Sequence, residues 1–215
     1  MNGIRFGNKH TADDWDLILK KRPTIEAPSI KENYISVTGR NGDLDLSEAL
    51  TGKPTYNNRA ITCEFDTLAK YEEWDSLLED IFNYLHGQRK RITLDTDPNW
   101  YYEGRCSVDF DNDRRVGNLT IACNCDPFKY KQTVSSNIKT LSGIATDFTC
   151  NVEGLPVVPT FTLPAETTIV FNGNSYVVTT SGKYKNYDIE FTEGENIINI
   201  NTTGEVKIEW QEVSF

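Results

Sequence analysis

Side chains able to do chemistry are few in this sequence, and they are scattered. Two histidines stand at 10 and 86, five cysteines at 63, 106, 123, 125 and 150, and three carboxylates cluster at Asp109, Asp111 and Asp113. An enzyme needs a base, acid, nucleophile or metal converging in a cleft. His10 falls in a polar turn, and His86 closes a helix, where a protonated imidazole would favour the dipole. Cys123-x-Cys125 invites a metal reading. On an alternating strand, however, both sulfurs point the same way as Leu119 and Ile121, as small core residues do. No second cysteine pair stands at ligand spacing. The three aspartates flank a hairpin tip, but the glycine and terminal glutamate of a calcium loop are missing, and Arg114-Arg115 beside them reads as a solvated turn. Gly39-Arg40-Asn41-Gly42 lacks the lysine and following helix of a phosphate cradle. Alternation buries Trp100 and Tyr102 and leaves Tyr101 as the surface aromatic for stacking on a sugar or base. The sequence therefore offers no catalytic residue, no metal site and no cofactor.

Charge narrows the function further. The chain has 215 residues and a formal net charge of −10, which argues against ordinary nucleic-acid binding, because that relies on neutralising phosphates with Lys and Arg. Residues 1–131 carry 18 basic and 22 acidic side chains, and residues 132–215 carry 4 and 10, so the shorter part is nearly devoid of basic anchors. Nothing approaches a membrane-spanning length, and no apolar N-terminal run suggests a signal peptide. Folding in a cytoplasm is the expectation, and with it five reduced thiols.

One helix organises the elements that would position these groups. From Tyr71 to His86, Trp74, Leu77, Leu78, Ile81, Phe82 and Leu85 fall on one face and form a structural core, while acids take the other. Gly87 supplies a left-handed stop. Nearly every other apolar segment alternates in steps of two. Ile61, Cys63 and Phe65 mark one strand; Trp100 to Phe110 and Leu119 to Cys125 form a long hairpin turned at Asp111-Asn112-Asp113. Residues 132–143 read as a linker. After them come short strands with regular turns, among them Asn172-Gly173, a strong two-residue hairpin signal. The expected fold is mainly β with one amphipathic helix: an N-terminal β-sandwich or barrel-like domain with the helix (1–131), then a small C-terminal β-sandwich (144–215).

The order Tyr34-Ile35, Gly39-Arg40-x-Gly42-x-Leu44-Asp45-Leu46, Leu50-x-Gly52, Tyr56-x-Asn58-Arg59 and Phe65 resembles the siphophage distal tail proteins, the family often called phage tail component. The resemblance continues through Trp74, Tyr84-Leu85-His86-Gly87, Asp97-Pro98, Trp100-Tyr101-Tyr102-Glu103-Gly104-Arg105 and Cys125-Asp126-Pro127-Phe128-Lys129-Tyr130, covering about residues 1–131. Thr38 departs from it, where such proteins commonly carry proline.

The resemblance implies a structural virion protein at the tail tip, assembled in the bacterial host cytoplasm. It implies a ring, usually of six copies, with the tail tube on one face, the tail-associated baseplate protein on the other, and receptor-binding parts around the periphery. DNA would pass through without specific binding. Candidate contacts between subunits are Arg40, Asn41, Gly42 and Asp43 in the glycine-rich loop, Arg59, and the hairpin tip at Asp111, Asp113, Arg114 and Arg115. Charge reversal of Arg40 with Arg59 is expected to weaken the ring and spare the fold. The alternatives are a carbohydrate-binding module for a host cell-wall glycan and a tail-tube subunit.

Overall fold

A computed structural model of the chain describes residues 3–67, 69–113 and 116–215, with backbone alone at positions 71, 112, 113 and 116. The chain is mainly β with one α-helix, and it divides into two compact units, Met1–Lys129 with Phe215, and Tyr130–Ser214.

In the first unit, β1 (Ile4–Phe6) and β2 (Lys9–His10) form a hairpin, followed by β3 (Leu17–Leu19) and β4 (Thr24–Ile25). A long excursion carries β5 (Tyr34–Ile35) and β6 (Leu44–Asp45) before β7 (Arg59–Thr67) rejoins the body. Then come α1 (Trp74–Leu85), β8 (Arg89–Leu94), β9 (Trp100–Asp113) and β10 (Val116–Cys125). The antiparallel sheet runs β2-β1-β8-β9-β10-β7-β3, with β4 added on β7. Its register follows from alternation: Leu119 lies opposite Phe65, Ile121 opposite Cys63 and Cys123 opposite Ile61. A one-residue slip would turn this whole row to solvent. Full burial of side chains such as Phe65 and Ile121 stabilises the unit by roughly 1.5–3 kcal/mol each. Gly104 faces Cys125 so closely that a Cβ there would meet the Cys125 Cα and Sγ at 2.6 Å, so glycine is what lets β9 and β10 pair at this point.

The helix covers this core with a graded face. Ile81 and Leu85 are fully buried, while Leu77, Leu78 and Phe82 pack half-buried against the cluster, and Trp74 meets Phe110 edge-on. Trp15 donates from Nε1 to Asp80 at 2.8 Å, and the Tyr84 hydroxyl donates to the Phe6 carbonyl, so the middle and the C-terminal end of the helix are tied to the rest of the unit. Gly87 adopts φ +73°, as the left-handed stop requires.

Two expectations give way in this unit. β9 continues to Asp113, which pairs with Val116, so Asp111 and Asp113 are strand residues and not the turn. Continuous pairing with β10 outlasts the polar run that suggested a turn. The cysteines are not all thiols either: Cys106 and Cys123 face each other across β9 and β10, with Cα atoms 4.1 Å apart, and form a disulfide. Cys63, Cys125 and Cys150 are free and buried.

In the second unit the chain passes from β11 (Lys129–Lys131) into β12 (Ser135–Ser142) and β13 (Thr146–Val152). There follow β14 (Thr160–Leu163), β15 (Thr167–Phe171), β16 (Asn174–Val178), β17 (Gly182–Tyr184), β18 (Gly194–Asn201), β19 (Thr203–Trp210) and β20 (Val213–Ser214). Two four-stranded sheets, β12-β19-β14-β17 and β13-β18-β15-β16, form a sandwich around Phe148, Phe161, Ile169, Phe191, Ile198 and Ile208. Asn172 and Gly173 both take positive φ, the two-residue hairpin geometry, and set Phe171 opposite Asn174. Residues 135–142, expected within a linker, are a full sheet strand. As an edge strand it buries only Leu141, and so little burial leaves little apolar signal. The Asn137 side chain donates to the Thr149 carbonyl and Lys139 to that of Asp147, so side chains of β12 cap open carbonyls on the edge strand β13.

Candidate functional site

The excursion between β4 and β7 is an arm. Its root is held by the Ile30–Tyr56 bridge, by the Lys31 amide donating to the Thr55 carbonyl at 2.8 Å and by the Asn57 amide donating to that of Ser29 at 2.8 Å. Farther out, Tyr34 pairs with Asp45 and Ile35 with Leu44. The Ser47 amide donates to Asp45 at 2.9 Å, and Ser47 holds that carboxyl below the usual carboxylate range. Carboxylates at Asp45 and Glu32 push the Tyr34 phenol upward. Arg40, Asn41, Gly42 and Asp43 share the tip, all exposed, where Gly39 and Gly42 take φ +85° and +75°.

The arm exposes apolar side chains that folding within one chain would bury: Ile30, Tyr34, Ile35 and Val37 are about half accessible, and Leu50 is 100% exposed. Leu50 sits on a helical turn, where the amides of Ala49 and Gly52 donate to the carbonyls of Leu46 and Glu48. Exposed apolar groups gathered on one element are the raw material of an interaction surface.

Arg59 lies elsewhere than sequence reasoning placed it. It shares the parity of Ile61, Cys63 and Phe65 on β7 and is only 5% exposed. Its guanidinium stands over the Tyr102 ring, 5.5 Å from the centroid, and its buried Nε has no hydrogen-bond partner. It forms one wall of an open cleft of about 560 Å³ at the arm's root, with Ile25, Glu26, Pro28, Ile30, Tyr56, Tyr102 and Phe215. Tyr56, Phe128 and Phe215 meet edge-to-face beside it, with centroids 5.1–5.6 Å apart. The structure thus groups Arg40 to Asp43 at the arm's tip and sets Arg59 at its root. Asp111 is exposed on β9, the Asp113 side chain is undescribed, and Arg114 and Arg115 lie outside the described residues.

The groups weighed for catalysis are tied into the fold. His10 is buried, not set in an open turn: Nε2 lies 3.2 Å from both Asp95 oxygens and Nδ1 3.0 Å from Asp13. The β1–β2 hairpin folds its ring over Gly3, where a Cβ would come within 2.6 Å. At the helix end, the His86 Nδ1 accepts from the Val108 amide, and its ring stacks on Phe82. Tyr101, expected at the surface, is 2% exposed, because the Arg91 guanidinium lies over its ring; Arg105, Ser107 and Asp109 farther along the same face are exposed. Burial pushes the Cys63 and Cys125 thiols up to about 12 and Cys150 to about 11, leaving no thiolate nucleophile at neutral pH. Among the described residues no three His, Cys, Asp or Glu side chains converge as a metal site.

The fold is matched over the whole chain by a solved structure. It is similar to the crystal structure of SPP1 Dit (gp 19.1), described as a paradigm of hub adsorption apparatus in phages infecting Gram-positive bacteria, with a TM-score of 0.70 over 100% of both chains. The likeness is one of fold. Sequence identity is 13%, and no protein-family model and no curated protein matches the sequence. In the second unit the strongly exposed aromatic side chain is Tyr187, and Ile197 and Val177 stand exposed on one sheet.

Proposed function

We propose that this chain is a distal tail hub, a non-enzymatic structural protein of a siphophage-type particle. One observation carries the reading: the fold of SPP1 Dit is matched along the full length, both units included. The residue pattern of positions 1–131 supports it independently. In this reading six copies close into a ring at the tail tip. One face takes the tail tube and the other the tail-associated baseplate protein, with receptor-binding parts around the periphery.

The physical character of the chain suits that role. A ring crossed by DNA must not grip phosphates, and a net charge of −10 keeps the duplex sliding. Cyclic closure makes each contact heterologous, so an element projecting from one copy must meet a different patch on the next. The arm, with Arg40 to Asp43 at its tip, is the projecting element proposed for those contacts, and Asp111 on β9 is a further candidate. Because Arg59 is buried, reversing its charge would disturb the fold as well as an interface. A neutral replacement there, paired with charge reversal at Arg40, is the cleaner test.

The experiment is reconstitution with the tail-tube and baseplate proteins of the same particle, followed by negative-stain imaging. Rings capping tube ends are expected. Decoration along the tube's length would favour a tube subunit, and binding to host cell-wall polysaccharide without rings would favour a glycan-binding module.

A further inference from the structure

A buried guanidinium normally has its donors paired, since removing a cation from water costs several kcal/mol unless hydrogen bonds and a counter-charge replace the solvent. Arg59 breaks that rule: it is 5% exposed, its Nε lacks a partner, and among the described residues no carboxylate forms an ion pair with it. Among the described residues, the Tyr102 ring is the group that the guanidinium stands over. The cleft it lines is open, about 560 Å³, and walled by Ile25, Pro28, Ile30 and Tyr56. Such a cleft suits a ligand that is half apolar and half carboxylate.

We infer that the Arg59 cleft receives the Leu46–Gly52 turn from the arm of a second copy, with Leu50 against the apolar wall and the Glu48 carboxylate on the guanidinium. This rests on the ring reading and specifies its contact. Leu50 is wholly exposed, and Glu48, two residues away, is exposed as well. Glu26 also lines the cleft but makes no ion pair with Arg59, so this turn brings an apolar group for the wall and a carboxylate for the guanidinium. The cleft lies at the root of the arm and the turn lies farther out, so lobe-to-cleft docking runs head to tail and closes by rotation. A planar fork also pairs with a carboxylate through two parallel hydrogen bonds.

The test mixes two full-length variants, Arg59→Gln with a spoiled cleft and Leu50→Asp with a spoiled lobe, and reads mass by sedimentation. Wild type forms closed rings. Each variant alone associates about 100-fold more weakly. An equimolar mixture yields heterodimers that stop at two chains, because only one intact lobe and one intact cleft remain. Arg59→Gln melts at or above the wild-type temperature, since an unpaired buried charge has been removed. Rings of Arg59→Gln as stable as wild type would overturn the inference and leave the hub reading standing. Normal rings that no longer bind the tail-tube protein would reassign the cleft to that partner. A wild-type chain that forms no closed oligomer would overturn the hub reading itself.

Discussion

Two buried charges, one in each unit, have opposite surroundings. Glu212 is 2% exposed and fully engaged: one carboxylate oxygen accepts from the Trp210 indole at 3.1 Å, the other from the Glu153 amide at 3.1 Å. Its own carbonyl accepts from the Lys131 amide, so the residue pins the chain's entry into the sandwich to the strand that closes it. Arg59 is 5% exposed, with an orphaned Nε at an open cleft. Burial with both carboxylate oxygens hydrogen-bonded makes a structural clasp. Burial with a donor left over makes a site that lacks something. On the proposed reading, Glu212 serves the fold and Arg59 serves a partner.

The largest expected effect tests the clasp. Glu212→Ala orphans the Trp210 indole N–H and the Glu153 amide together, and should destabilise the second unit by about 3 kcal/mol. Hydrogen exchange in β12, β13 and β19 reads it; protection unchanged there would break the contrast with Arg59. Next comes the disulfide. Reducing Cys106–Cys123, a sequence separation of 17, should cost the first unit about 2–3 kcal/mol and leave the second untouched. Alkylation in denaturant should label three cysteines before reduction and five after it. Five labelled without reductant would contradict the bond.

Arg59→Gln sharpens the comparison from the other side: stability should stay level or rise by about 1 kcal/mol while association falls. A loss as large as that of Glu212→Ala would make Arg59 a clasp as well. The smallest effect concerns the exposed pair beside Glu212. Lys131 donates to Glu153 at 2.8 Å, which lowers the Glu153 carboxyl and raises the Lys131 ammonium relative to their ordinary values. A depressed carboxyl contributes stability above its unfolded pKa and loses it as pH falls through the folded one. A raised amine contributes below its unfolded pKa and loses it as pH rises through the folded one. Lys131→Met should therefore flatten the acid limb of the stability profile slightly and leave neutral pH nearly unchanged. Thermal melts between pH 3 and 7 would show it.

Much of the fold was legible in local pattern. The helix stripe ending at Leu85-His86-Gly87, the alternation of Ile61, Cys63 and Phe65, and the Asn172-Gly173 turn each specify their geometry without tertiary help. What escaped needed pairing or burial to be seen. Cys106 and Cys123 are joined only because the β9–β10 register sets them opposite. β12 hides because an edge strand with one buried side chain has the composition of a linker. Tyr101 alternates outward on its own strand yet is roofed by Arg91 from β8. Arg59 was closest to being readable, since it continues the parity of Ile61, Cys63 and Phe65. A cation at the end of an inward row is a signal that sequence alone can raise, while its lack of a partner emerges only from the packed structure.

The solution mass of the purified chain, with and without its tail-tube and baseplate partners, tests the central claim most directly. The hub reading predicts a closed species of about six 24.4 kDa chains, seen as rings by negative stain. A chain that stays monomeric even with both partners present would contradict it.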